Sequence, residues 1–271
     1  MTDAHCHLWD LREFIKDAEE ERRKFSAAIA ASSCTLEEFL YHEDLAKKGR
    51  EEKAPPIFCC FALHPQLSLE FLEKQGNTPA SLEAGLELLE LLAGEGRLHA
   101  VGETGFDLYD ARYKAGEKIQ DELFSFHLKT ALKYNLPLVL HLRKAMHKIF
   151  PFAKELKKLP AVVFHSWPGT RGEGEAFLRK KINAFFSFGS AVLKNHKNAI
   201  DSAAHFPSDA ILLETDAPYQ PLKGKTFSSF SDLNIICKGI VEIRKEAGSP
   251  CGTYAELEEA TTANFYRAFG N

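Results

Sequence analysis

The sequence predicts an α/β fold, a single (β/α)8 TIM barrel whose chemistry sits at the C-terminal rim of the strands, and three observations lead there. Short apolar runs rich in β-branched and aromatic residues recur at residues 1–4, 25–31, 57–63, 98–102, 138–141, 161–165, 184–188 and 211–214. Each suits a parallel strand buried on both faces. Between them, residues 81–92, 120–134, 144–158 and 195–205 carry apolar side chains three and four apart, the spacing of an amphipathic helix. The chain has 271 residues, close to the ~250 that one such barrel takes, and eight strands close a barrel whereas an open doubly wound sheet usually has fewer. No Pro/Gly/Ser-rich linker or low-complexity tract breaks this rhythm, so residues 1–271 are expected to form one domain.

Composition narrows the class. Hydrophobic residues make up 45% of the chain and charged residues 27%, as in an ordinary globular protein. No apolar run approaches the ~20 residues of a membrane span, so no membrane role is expected. The N-terminus passes from Met1 into Asp3-Ala4-His5 without the basic and apolar regions of a signal peptide, and the six scattered cysteines form no C-x-x-C pair. A cytoplasmic protein with reduced thiols is the expectation. The net charge of −4 gives no general attraction to nucleic acid, so a polyanionic substrate has to be held by local groups. The run Glu19-Glu20-Glu21-Arg22-Arg23-Lys24 reads as a solvated helix face. Nothing in the sequence marks an obligate protein partner or an extensive apolar interface, and a monomer is expected.

The residue types that ligate metals fall where the expected strands end. His5 and His7 close the first strand, His64 the third, Glu103 the fourth, His141 the fifth, His165 the sixth, and Glu214 with Asp216 the eighth. In barrels that rim is where residues from different strands assemble a site. His5-Cys6-His7 places two imidazoles on one face of a strand, with Cys6 turned the other way. Glu103, flanked by glycines in Gly102-Glu103-Thr104-Gly105, is suited to bridge two ions. Glu214 and Asp216 are also two apart, and inward carboxylates need cations nearby. Arg143, just past His141, has the geometry to grip a phosphate.

The chain resembles the TatD family, metal-dependent deoxyribonucleases of the amidohydrolase superfamily. The resemblance is carried over nearly the whole length by Asp3-Ala4-His5-Cys6-His7-Leu8, Ala62-Leu63-His64-Pro65, Val101-Gly102-Glu103-Thr104-Gly105-Phe106-Asp107, Leu136-Pro137-Leu138-Val139-Leu140-His141-Leu142-Arg143-Lys144-Ala145, Phe164-His165-Ser166 and Leu213-Glu214-Thr215-Asp216-Ala217-Pro218-Tyr219. It implies that His5, His7 and Asp216 hold one divalent ion, that His141 and His165 hold a second, and that Glu103 bridges them. His64 and Glu214 belong to the same site, where in some members they serve a third cation. The ions are Zn²⁺, Mg²⁺ or Mn²⁺, since imidazoles suit the first and carboxylates admit the others.

The reaction implied is hydrolysis of DNA phosphodiester bonds, of the 3′-exonuclease type, by metal-activated water. Asp216 takes the proton, and Arg143 with His64 contacts substrate. Two departures bear on the substrate. His127 stands where the family usually has glutamine, and after Pro221 the usual Arg-Asn-Glu-Pro is replaced by Thr226-Phe227-Ser228-Ser229. Two other readings therefore stand beside the nuclease: a hydrolase of a small ester, amide or phosphoester using the same water, and a barrel that binds metal without turnover.

Overall fold

Eight parallel strands run side by side in chain order: β1 (Thr2–Cys6), β2 (Ala28–Ser33), β3 (Ile57–Phe61), β4 (Ala100–Asp107), β5 (Leu138–Arg143), β6 (Val162–Phe164), β7 (Ala184–Phe188) and β8 (Ile211–Leu213). The computed structural model describes residues 1–25, 27–69 and 78–270, and the side chains within that range except for 78–81. Ser26, inside the strand expected at 25–31, lies outside the described residues. Helices stand between the strands, and the whole is the (β/α)8 barrel that the sequence predicts.

Period-two alternation divides the core into two layers. Ala4, Ala30, Phe58, Ala100, Val139, Val163, Phe185 and Leu212 point into the barrel, where Phe265, Ala268 and Phe269 of the helix Tyr254–Phe269 join them. Phe58 packs edge-on against Phe265 at 5.2 Å between ring centres. The other strand positions, among them Ile29, Val101, Leu140, Phe164, Phe186 and Leu213, face outward under the helices. Cys6 belongs to this outer layer, as its place between His5 and His7 implies.

The seam between β8 and β1 is stitched by a buried side chain. The Asp3 carboxylate accepts hydrogen bonds from the Thr215 N–H (2.9 Å), the Thr215 hydroxyl (2.6 Å) and the His5 N–H (3.3 Å). Past the strand ends, Asp216 N–H donates to His5 O (3.0 Å) and His7 N–H to Ala217 O (2.7 Å).

The helical expectations fare unevenly. Residues 81–92 and 120–134 lie in the helices Thr78–Gly94 and Glu117–Tyr134, and 195–205 contains Lys197–His205. The expected helix at 144–158 is instead three pieces, Met146–Ile149, Phe150–Phe152 and Ala153–Leu156. Pro151 sits in the middle piece, where its ring and missing N–H interrupt the ladder. The charged run at 19–24 does form a helix, Ala18–Lys24, but its face is not wholly solvated. Arg22 is fully buried, with Glu19 bonded to it through both oxygens (2.6 and 2.7 Å) and the carbonyls of Ala27 and Pro55 accepting from its remaining nitrogen. Those orphan carbonyls at the entry to β2 and β3 are what draw a charge inward.

Two histidines lie deep between strand and helix layers. His42 Nδ1 is 2.8 Å from Ser33 Oγ and His127 Nδ1 is 2.6 Å from Thr104 Oγ1, while each Nε2 is buried without a hydrogen-bond partner. Burial pushes both imidazoles down to about 3. They stay neutral in the fold but take up protons near 6.5 once the chain unfolds. Between pH 6.5 and 3 the unfolded chain therefore binds more protons, and stability falls with falling pH by roughly 1.4 kcal/mol per unit for each histidine. Urea midpoints from pH 7 to 4.5 are expected to drop more steeply in the wild type than in His127→Gln. Parallel curves would contradict this assignment.

Candidate metal centre

The same alternation that fills the barrel carries polar side chains to its top. One step beyond the inward Val139, Val163, Phe185 and Leu212 come His141, His165, Ser187 and Glu214. Glu103 arrives differently, because β4 runs on through it to Asp107 where the sequence suggested an end at Gly102. The register of β4 against β5 shifts between Val101 and Thr104, and Gly105 follows at φ 137°, where a Cβ would lie 2.2 Å from His141 O. Only glycine lets the two strands come this close.

His5, His7 and Asp216 meet through the seam and not through strand alternation. β1 slips register between Asp3 and Cys6, and His7 lies past its end. Asp216 stands three residues after β8 with φ 56°, so the two-residue spacing from Glu214 does not put them on a common strand face. The cross-seam bonds Asp216 N–H to His5 O and His7 N–H to Ala217 O bring these three residues together.

Glu103 is the hub. Its Oε1 lies 2.5 Å from His141 Nδ1, 3.4 Å from His64 Nε2 and 3.6 Å from His165 Nε2. Its Oε2 lies 3.2 Å from His5 Nε2 and 3.6 Å from His7 Nε2. Asp216 Oδ1 is 3.6 Å from the same nitrogens of His5 and His7. Burial alone would raise the Glu103 carboxyl, but the imidazoles of His64, His5, His165 and His141 hold it well below the usual range. Burial likewise opposes charge on His165, yet the carboxylates of Glu214, Glu103 and Asp216 outweigh it and lift the imidazole to about 10. His7 and His141 are also raised, against burial, by Glu103 together with Asp216 or Asp107. His5 is lowered by burial and by His165, and His64 by burial.

The donor atoms converge in three overlapping sets, His5/His7/Asp216, His5/Glu103/His165 and His64/Glu103/His141, each within 4.8 Å of one another. His5 Nε2 and His7 Nε2 are 3.2 Å apart. Such mixed imidazole and carboxylate sets suit divalent cations.

Behind these groups stand others that hold them. Asp107, fully buried, places Oδ2 3.4 Å from His141 Nε2 and accepts from Gln66 Nε2 (2.8 Å) and Arg143 (3.2 Å). His141 is thereby turned with Nδ1 towards Glu103. Although burial would raise the Asp107 carboxyl, its bonds with His141 and Gln66 hold it well below the usual range. Glu214 stands apart from the three sets: its Oε2 is 2.9 Å from His165 Nδ1 and accepts from the Ser187 hydroxyl, while its Oε1 is buried without a hydrogen-bond partner. Gln220 donates to Asp216 Oδ2 (2.8 Å). Sequence reasoning gave no role to Asp107 or Gln220. The former had a legible signal, since residues 103, 105 and 107 alternate onto one face; the latter depends on the loop after β8 and had none.

The centre lies at the floor of a cavity of about 1350 Å³. Lys144 (φ 53°), Ser166 (φ 45°), Asp216 and Gln220 (φ 52°) all line it in the left-handed backbone region. That region costs a non-glycine residue of order 1 kcal/mol and gathers at functional sites. Among the described residues, no helix is long and apolar enough to cross a membrane.

Comparison with known proteins fits this geometry. A family model described as TatD related DNase matches residues 2–270. The chain is similar to YcfH of Escherichia coli, named an uncharacterized metal-dependent hydrolase, with 28% identity over 285 residues covering 99% of this chain and 95% of that one. Among solved structures, YjjV, a TatD homologue from Escherichia coli, has a TM-score of 0.78 at 26% identity, covering 100% of this chain and 98% of its own. An uncharacterized amidohydrolase from Saccharomyces cerevisiae has a TM-score of 0.76 at 15% identity and 99% coverage of both chains, and shares the fold.

Orientation of His141 by Asp107 is open to test. Loss of such a carboxylate behind a ligating histidine typically costs 10–100-fold in metal affinity. Asp107→Asn is expected to weaken binding of Mn²⁺ or Zn²⁺, titrated calorimetrically, within that range. Wild-type affinity in the variant would show that His141 needs no such support.

Proposed function

Because the chain belongs to the family of TatD-related DNases, we propose that this metal-dependent hydrolase cuts DNA phosphodiester bonds from the 3′ end, and that the residues gathered around Glu103 would hold two divalent ions for that reaction. One observation carries the reading: the two oxygens of that buried carboxylate face different imidazoles, Oε2 towards His5 and His7 and Oε1 towards His141, His64 and His165. One ion is assigned to His5, His7 and Asp216, the other to His141 and His165, with His64 beside it. Mg²⁺ or Mn²⁺ is assigned to turnover, although the imidazoles also suit Zn²⁺. When bound, the ions supply Lewis-acid charge that neutralises a phosphate and acidifies a nearby water.

The chain's own residues do the rest. Gln220 fixes one oxygen of Asp216, leaving the other, Oδ1, facing the space between His5 and His7, where it accepts the proton of the attacking water. Arg143, half-exposed and steadied by Asp107, pairs with a non-bridging phosphate oxygen. Glu214 supports His165 from behind, through the imidazole nitrogen that faces away from Glu103, and this role replaces that of a ligand for an additional cation.

The reading is tested with metal-loaded protein against single-stranded DNA, duplex DNA, RNA and small esters and amides. Release of 3′-terminal nucleotides from DNA, abolished by chelation, is expected. Intact DNA with every divalent ion beside cleavage of a small ester or amide would overturn it.

Two substitutions probe the roles. Asp216→Asn removes the proton acceptor, and since general-base assistance contributes ~10²–10⁴-fold, kcat is expected to fall within that range. Glu214→Gln keeps a group beside His165 and is expected to fall less; the reverse order would show the two roles to be exchanged. Glu103→Gln, which removes the shared charge and keeps the shape, is expected to lose more than one ion in elemental analysis, and unchanged stoichiometry would refute the bridge.

A further inference from the structure

The mouth of the cavity is electrically lopsided. Asp10 and Glu38 line it on the side of the loops after β1 and β2, whereas Arg112, Arg143 and Lys144 line it beyond β4 and β5. On that cationic side Tyr109 stands half-exposed, at 49%. The Arg143 guanidinium lies 4.3 Å and Lys144 Nζ 4.4 Å from its ring centre, and Lys144 Nζ donates to Tyr109 O at 3.1 Å.

Two features separate this wall from an ordinary solvated surface. Lys144 has no carboxylate partner among the described residues, and it holds its charge at the cavity mouth from a left-handed backbone, φ 53°, that glycine or asparagine would occupy at less cost. The wall is also tied to the metal side. Asp107 Oδ1 accepts from Tyr109 N–H (3.0 Å), while Oδ2 accepts from Arg143 and lies beside His141. A single buried carboxylate thus sets both an imidazole of the centre and the wall beside it.

Resting on the nuclease reading above, we infer that Tyr109, Arg143 and Lys144 form a subsite for the nucleotide next to the one being released. Lys144 holds its phosphate, next to the one under attack that Arg143 grips from the same wall, and the base lies against the tyrosine. A chain of net charge −4 draws no polyanion by its overall field, so local cations must supply the attraction. Aromatic stacking serves any base, so the subsite selects a nucleotide chain over a small ester without selecting a sequence.

The test compares metal-loaded wild type and Lys144→Gly on a single-stranded oligonucleotide and on bis(p-nitrophenyl) phosphate, across a range of salt. Glycine relieves the backbone at this position, so thermal stability is expected to hold. The ratio of kcat/KM for oligonucleotide to kcat/KM for the small diester is expected to fall about tenfold, mainly through KM, and the salt slope of log kcat/KM on DNA to lessen by ~0.7 for the single charge removed. Lys144→Gln, which keeps a side chain there, is expected to show the same loss. Lys157→Gln/Lys158→Gln, which removes charge far from the cavity, is expected to keep the wild-type ratio. A wild type that cleaves DNA while the Lys144 variants keep both ratio and slope would overturn the subsite alone, as would an equal loss in the distant double variant. A wild type that cleaves small esters but no DNA would overturn the nuclease reading and the subsite with it.

Discussion

A carboxylate held away from water needs positive charge beside it, and Glu103 is the point where this chain meets that demand. Only 3% of the residue is exposed. Among the described residues no lysine or arginine pairs with it, and its charged neighbours are the imidazoles of His5, His7, His64, His141 and His165. Desolvating an ionised carboxylate costs several kcal/mol, and without a bound cation it is protonated imidazoles, His165 above all, that oppose this cost. Divalent cations seated among the nitrogens would oppose it with the imidazoles neutral. The rest of the upper barrel follows from keeping those nitrogens aimed inward.

That aim is secured by a further tier of buried acids. Asp107 stands behind His141, Glu214 behind His165, and Asp3 gathers the backbone of His5 and Thr215 across the seam. The barrel is therefore closed and its centre assembled by the same contacts. The seam that joins β8 to β1 also delivers Asp216 opposite His5 and His7. A site built from segments as far as 212 residues apart in sequence depends on that closure more than on any local turn.

The eight apolar runs were legible because strands buried on both faces leave an unambiguous pattern, and the polar residues at their ends stood out against it. Strand limits were less so. Glu103 lies inside β4 because a register shift and Gly105 prolong the strand, effects that depend on the neighbour His141. Alternation along a strand suggested the pairs His5/His7 and Glu214/Asp216, and only the family resemblance implied His7 with Asp216; backbone bonds across the seam are what bring His5, His7 and Asp216 together. Glu214 shows the limit from the other side, since spacing alone could not tell a residue facing the centre from one backing His165. Pro151 was available in the sequence and outweighs the helical periodicity around it. The burial of Arg22 was not, because its carbonyl partners come from the entries to two different strands.

The most direct measurement is anomalous diffraction from crystals of the protein equilibrated with Mn²⁺. Two peaks are expected, one on the Oε2 side of Glu103 among His5, His7 and Asp216, the other on the Oε1 side among His141 and His165. A single peak, or two that leave Glu103 unligated, would contradict the assignment of this carboxylate as the bridge on which the site is built.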